Sequence, residues 1–242
     1  MADFLSITEN ISRLELPWKV YGVFSLPVAV YLIKHKDGYT LIDSGPPESA
    51  DLLVPAISRA TGGKGVGSVL LTHGHYDHVG GLNSLDLAWK PEIICHREEA
   101  PFLSGDADYH QLKAHDPISF LGRYLMPRAA LRVRASRTLE AGQAAAGMAV
   151  IHLPGHTPGQ IGFLHPTDQA MICGDAAMNL GGQLSGPLAL VTPNPALAQR
   201  SLRRLTELDY DHLLPAHGPP IMMHGREAML RFLGSRPQSA HG

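Results

Sequence analysis

Apolar positions along this chain fall in short runs that glycine and proline cut apart. Residues 27–33 (PVAVYLI) and 38–43 (GYTLID) read as β-strands joined by the turn-like KHKDG, a hairpin that closes in a tight turn at Ser44 and Gly45. Residues 50–61 (ADLLVPAISRAT) carry apolar side chains at helical spacing, and Pro55 is tolerable near the first turns. Residues 66–72 (VGSVLLT) read as a strand, 80–89 (GGLNSLDLAW) as a short helix, and 91–95 (PEIIC) as another strand. Strand and helix alternate with glycine turns between them, which predicts layered α/β packing.

The segment 101–135 breaks this rhythm. Its helical fragments are interrupted by Pro117 and Pro127, and Arg123, Arg128, Arg132, Arg134 and Arg137 crowd its end. It reads as a helical insertion over the sheet, a lid. Strand-like pieces then return at 146–153, 160–166 and 169–175, followed by a helix over 194–208, a short strand in HLLPAHG (212–218) and a last helix near 224–233.

With 242 residues, 44% of them hydrophobic and 17% charged, the chain has enough apolar material for one large domain spanning 1–242. A formal net charge of -2 gives no long-range reason to expect nucleic acid or an anionic membrane as partner. No run reaches the roughly 18 apolar residues of a membrane span, and the start lacks a secretory pattern, so a cytoplasmic protein is expected. Cys95 and Cys173 sit in apolar strand-like runs and read as buried free thiols.

The chemistry concentrates in LTHGHYDHVGG (71–81), where His73, His75, Asp77 and His78 share six positions at the end of a predicted strand. Four ligand-type side chains exceed what one tetrahedral ion with an open position needs, so a pair of ions is the economical reading. Further ligand types follow other predicted strands: His156 in LPGHTPGQ, Asp175 in CGDAA and His217 in LLPAHGP. These seven residues are five histidines and two aspartates.

In this order, THGHYDHVGG, PGHTPG, Gly174–Asp175 and PAHG resemble the motifs of the metallo-β-lactamase-fold superfamily, and LIDSGP resembles its early aspartate turn. The resemblance runs from about residue 20 to 220. It implies an α/β fold, an αββα four-layer sandwich of two mixed β-sheets flanked by helices, with a metal centre at one sheet edge. By position, His73, His75 and His156 would hold a first ion, Asp77, His78 and His217 a second, and Asp175 would bridge them. The implied cofactors are two divalent ions, zinc first, with iron or manganese as alternatives.

The resemblance also implies a hydrolase in which a metal-bridging hydroxide attacks an ester, thioester or lactone carbonyl of a small-molecule substrate. Asp77 would be the catalytic residue that orients the hydroxide and shuttles its proton, and Asp43 would support a ligand imidazole or a loop amide, a plain turn cap being the alternative. Two other readings stay open: a mononuclear iron persulfide dioxygenase using His73, His75, His156 and Asp175, and a metal-binding module without turnover. Hydroxyacylglutathione hydrolases share the motifs but carry a basic helical extension beyond the last histidine motif, for which too little chain follows His217 here. Lactonases of this superfamily carry a phenolic donor soon after the bridging aspartate. Residues 173–190 contain no tyrosine, which leaves Tyr109 and Tyr124 of the insertion as candidates, with packing their plainer role. The arginines could receive an anionic substrate group or form a solvated face. A homodimer is compatible with the fold.

Overall fold

The computed structural model describes residues 2–20, 24–122 and 132–234. Two mixed sheets dominate it. The first takes its strands in chain order: β1 (Leu5–Ser6), β2 (Ile11–Leu16), β3 (Val28–His35), β4 (Gly38–Ile42), β5 (Ser68–Leu70), β6 (Glu92–His96) and β7 (Arg137–Leu139). Pairing is antiparallel from β1 to β4 and parallel from β4 to β7. The second sheet follows, again in order: β8 (Ala144–Ala145), β9 (Met148–His152), β10 (Ile161–His165), β11 (Ala170–Gly174) and β12 (His212–Pro215), antiparallel except for β11 with β12.

Two-residue periodicity sorts the side chains into three cores. Along β3, Ala29, Tyr31 and Ile33 face the other sheet, while Val30 and Leu32 face outward. The central core is completed by Ile42, Leu70 and Ile94 from the first sheet and Val150, Phe163 and Ile172 from the second. Burying a side chain as large as Phe163 stabilises the native state by roughly 1.5–3 kcal/mol. On the outer face of the first sheet, Leu41, Val69 and Cys95 pack against Leu53 and Ile57 of helix α1 (Ala50–Ala60). Helix α2 (Tyr76–Val79) and helix α3 (Leu82–Trp89), through Leu82 and Leu85, close that layer. On the outer face of the second, Met171, Cys173 and Leu213 pack against Leu202, Leu205 and Met229. Those last three residues belong to α6 (Pro195–Leu205) and α7 (Gly225–Gly234). Three cores between four layers make the expected αββα sandwich.

Local signals explain some element ends. Asn194 caps α6 by accepting from the Leu197 amide at 3.0 Å, and Pro195 occupies the first turn, where a missing amide costs nothing. Pro55 stands inside α1 with its ring exposed. In the segment 101–135 the described pieces are α4 (Ala100–Ser104), a 3₁₀ turn at Tyr109–Gln111 and α5 (Pro117–Gly122). Pro117 therefore opens a helix and does not interrupt one, which corrects the expectation from sequence. Pro127 lies outside the described residues. Both cysteines are buried free thiols, and burial pushes each thiol up to about 12, which makes them unreactive near neutrality. Among the described residues no helix is long and apolar enough to cross a membrane.

Candidate metal centre

All seven predicted ligands leave the C-terminal ends of strands, and the two sheets bring those ends to one edge. After β5 the chain runs through Thr72 and His73 to His75, the extended residue that starts α2, which carries Asp77 and His78. His156 lies in the loop between β9 and β10, Asp175 follows β11, and His217 follows β12. Each of the seven is buried, none more than 6% exposed. Gly174 is left-handed, and a Cβ there would approach Thr72 Cβ to 2.8 Å, so a side chain would push the β11 end away from the β5 loop.

The ring nitrogens facing away from the centre are engaged in four of the five histidines. His78 Nδ1–H donates to Asp43 Oδ2 at 2.8 Å, and His217 Nδ1–H donates to the Pro27 carbonyl at 3.1 Å. The Thr72 hydroxyl donates to Asp43 Oδ2, so it accepts from His73 Nδ1 at 3.1 Å. The Thr192 hydroxyl likewise donates to the Leu188 carbonyl and accepts from His156 Nδ1 at 3.2 Å. Four imidazoles are thereby held with Nδ1 protonated and Nε2 turned inward, the tautomer a metal ligand requires. Asp43 thus supports a ligand imidazole and a loop amide together, since it also accepts from the Thr72 amide at 2.7 Å. It does so from a left-handed backbone (φ 60), a conformation that favours a short polar side chain.

The inward atoms fit metal ions. His73 Nε2, His78 Nε2, His156 Nε2 and Asp175 Oδ1 are buried without hydrogen-bond partners, a costly state for polar atoms that an ion would relieve. Donor separations are 3.3 Å (His78 Nε2 to Asp175 Oδ1; His217 Nε2 to Asp77 Oδ2), 3.4 Å (His217 Nε2 to Asp175 Oδ2) and 3.5 Å (His156 Nε2 to Asp175 Oδ2). Two ligands about 2.0–2.1 Å from one tetrahedral ion stand about 3.4 Å apart, so these separations fit donors that share an ion. The donors fall into the groups His73–His75–His156 and Asp77–His78–His217, with His73–His78–Asp175 spanning the two. Two adjacent donor groups support a dinuclear metal-dependent hydrolase active site.

The groups differ electrostatically. Burial, reinforced by neighbouring imidazoles, holds His73 and His75 well below the usual histidine range and takes His156 down to about 4. Burial opposes charging of His78 and His217 too, but Asp77 and Asp175 outweigh it, raising His78 well above its usual value and His217 to about 10. In the metal-free protein the carboxylates of Asp77 and Asp175, 3.3–3.4 Å from these two rings, favour their protonated forms. At pH 7 the first group is neutral and has no proton to lose, whereas both His78 and His217 must give up an Nε2 proton to become ligands. Loading the metal-free protein at pH 7 in weak buffer is therefore expected to release about two imidazole protons, and up to about one more from water held by the ion pair, with the second equivalent of metal and not the first. A pH electrode during titration reads this, and release confined to the first equivalent would reverse the electrostatic assignment.

Beside His75 lies an apolar groove formed by Tyr109, Leu112, Leu190, Val191 and Pro193, which joins the insertion to the 3₁₀ turn Ala189–Val191. Tyr109 does not offer the groove a free phenol: its ring stands edge-on to His75 at 4.8 Å, but its hydroxyl donates to Glu99. Tyr124, Arg123 and Arg128 lie outside the described residues. Arg132, Arg134 and Arg137 lie towards solvent, and the first two line a different groove with Asn83 and Asp86 of α3. His96, Glu98 and His152 also gather, but the two rings are stacked 4.3 Å apart and nearly parallel (16°), so their in-plane lone pairs cannot meet at one ion. Sequence reasoning misses Thr72, Thr192 and the fully buried Glu99.

Comparisons with known proteins agree with this geometry. A family model described as the metallo-beta-lactamase superfamily matches residues 24–217. The probable metallo-hydrolase YflN of Bacillus subtilis (strain 168) is 27% identical, with 91% of this chain and 91% of that protein covered. A hydroxyacylglutathione hydrolase of Ruegeria pomeroyi is 33% identical over 76% of this chain but only 59% of its own length. Among solved structures, TTHA1623 in a di-iron-bound form is 30% identical with a TM-score of 0.61, covering 88% of this chain and 96% of that one. The metallo-beta-lactamase from Pontibacter korlensis shares the fold, with a TM-score of 0.70 at 15% identity over 98% of this chain and 100% of its own.

Proposed function

Because the chain belongs to the metallo-beta-lactamase superfamily, we propose that its donor cluster holds two divalent ions and hydrolyses an ester, thioester or lactone carbonyl of a small molecule. The observation that carries this reading is the convergence of seven buried donors, several with no partner, in two adjacent groups at one edge of the sandwich. His73, His75 and His156 would hold one ion, Asp77, His78 and His217 the other, and Asp175 would bridge: its Oδ2 faces both His156 and His217 while Oδ1 faces His78. Zinc suits the donor set, and iron or manganese suits it nearly as well. The di-iron form of TTHA1623 keeps iron in view.

When bound, such a pair would supply Lewis acidity and bring the pKa of a bound water towards neutrality, the source of a hydrolytic nucleophile. The protein's own contribution is placement. Asp43, Thr72, Thr192 and the Pro27 carbonyl fix the imidazole tautomers. Asp77, buried beside His78 and His217, would serve as the carboxylate that orients the nucleophile and takes its proton. Tyr109, Leu112, Leu190 and Val191 would form an apolar wall that excludes water on the His75 side, with the insertion over 101–135 as a lid on a single domain. Hydroxyacylglutathione hydrolase relatives favour thioesters among the three carbonyl classes. Nucleic acid is not expected as a substrate at a formal net charge of -2. Two buried free thiols fit a reducing cytoplasm, and a homodimer is compatible with the fold.

Protein stripped by chelation and reloaded with zinc alone is expected to cleave an activated ester, thioester or lactone without taking up oxygen, and to lose that activity in His217→Ala. Zinc has no redox chemistry, so an oxygen electrode and a pH-stat on one sample separate hydrolysis from dioxygenation. Oxygen uptake by an iron form with a persulfide, together with no acid release from any ester by the zinc form, would overturn the hydrolase reading.

A further inference from the structure

Glu99 follows β6 and opens α4, and it is fully buried beneath the metal-site loops. Its Oε2 accepts from the Gly74 amide at 2.9 Å and from the Tyr109 hydroxyl, and its Oε1 accepts from the Gly159 amide at 2.8 Å. Gly74 lies between His73 and His75, and Gly159 closes the loop that carries His156. One carboxylate therefore joins both loops of the first donor group and the aromatic wall standing against His75. We propose that Glu99 is the positioning residue of this centre, setting the spacing of the His73–His75 loop from the His156 loop and holding Tyr109 against His75.

Two independent features fit this role. The loops have been emptied of side chains where Glu99 sits: a Cβ on Gly74 would come within 2.5 Å of Tyr109 Oη and 3.2 Å of Glu99 Oε2, and one on Gly159 within 2.8 Å of Glu99 Cγ and of its amide nitrogen. The partners are also all donors. A carboxylate offers two acceptor oxygens and no proton, so it satisfies three N–H and O–H groups arriving from two sides. Glutamine offers one oxygen and an NH₂, and whichever way it turns, N–H faces N–H on one side. An uncharged isostere is thus no substitute, whereas aspartate keeps the acceptors and loses only reach.

The inference rests on the assignment of His73, His75 and His156 as one ligand set. Metal-free wild type, Glu99→Asp and Glu99→Gln are titrated with cobalt(II), and the visible bands and dissociation constants are recorded, with circular dichroism to confirm folding. The expected result is a graded loss of affinity for the first ion, partial in Glu99→Asp and about 10–100-fold in Glu99→Gln, the range for losing a ligand's supporting partner. Altered cobalt bands in the folded protein are expected to accompany it. Should Glu99→Gln fail to fold, Glu99→Asp carries the same readout. Wild-type bands and affinity in the folded variants, including variants whose only change is a lower Tm, overturn the proposal for Glu99 alone. A wild type that binds no cobalt overturns the ligand assignment and this inference with it.

Discussion

Asp175→Ala is expected to lower kcat/KM for the best ester or thioester substrate by at least about a thousandfold, since about 4 kcal/mol of charge stabilisation is at stake where two ions act together. Its two oxygens lie 3.3–3.5 Å from Nε2 of His78, His156 and His217, so truncation would remove the proposed bridging donor from both sides of the centre at once. It also removes a negative charge. Asp175 itself is held well below the usual carboxylate range, burial being overcome by His217 and His78, so a full anion is lost near neutrality. Metal content should fall below two ions per chain at concentrations that saturate the wild type. The fold should persist, because the variant's imidazoles can become neutral once the carboxylate is gone. Elemental analysis beside steady-state kinetics tests this, and a variant with two ions and near-normal turnover would remove Asp175 from the bridging position.

Asp43→Asn probes a group that supports the ligands from behind. Asparagine tolerates the left-handed backbone at this position, so the substitution changes charge and hydrogen bonding more than chain path. Asp43 accepts from the Thr72 amide with one oxygen and from His78 Nδ1 and the Thr72 hydroxyl with the other. An amide that keeps the Thr72 contact presents NH₂ to His78, whose proton must then move to Nε2, the atom needed for metal. The expected cost is about 10–100-fold in affinity for the second ion, with a matching fall in kcat and little change in KM. A chelator-competition titration resolves the two ions. Loss confined to the first ion would show that Asp43 acts through His73 and Thr72 instead.

Strands that are apolar on both faces, such as β3, are legible in the sequence, because a continuous apolar run of that length bounded by turn residues suits a buried strand better than a helix. No strand is legible at β2, where Ile11, Leu14 and Leu16 fit neither a period of two nor one of 3.6 and Arg13 and Glu15 look solvated. The seven donors stand out because chemically costly side chains occupy glycine-bounded loops at predicted strand ends. Glu99 does not: it follows Glu98, identical in type, and tertiary packing alone buries one and leaves the other exposed. Thr72 and Thr192 are hidden for the same reason, since nothing local distinguishes a hydroxyl aimed at an imidazole from one in a turn. The arginines are a case where spacing along the chain does not demand convergence, and in space Arg132, Arg134 and Arg137 are exposed.

One sheet is built entirely from residues before the Glu140 turn and the other entirely from residues after it. His73, His75, Asp77 and His78 come from the first half, and His156, Asp175 and His217 from the second. Each ion would therefore be a removable rivet between two halves of the polypeptide. Binding to the native state alone adds about 1.4 kcal/mol of stability per site for each tenfold rise in free metal above the dissociation constant. Metal supply would then govern how long the protein survives as well as how fast it works: starved cells would clear it by proteolysis from the opened state, and replete cells would accumulate it without any change in synthesis.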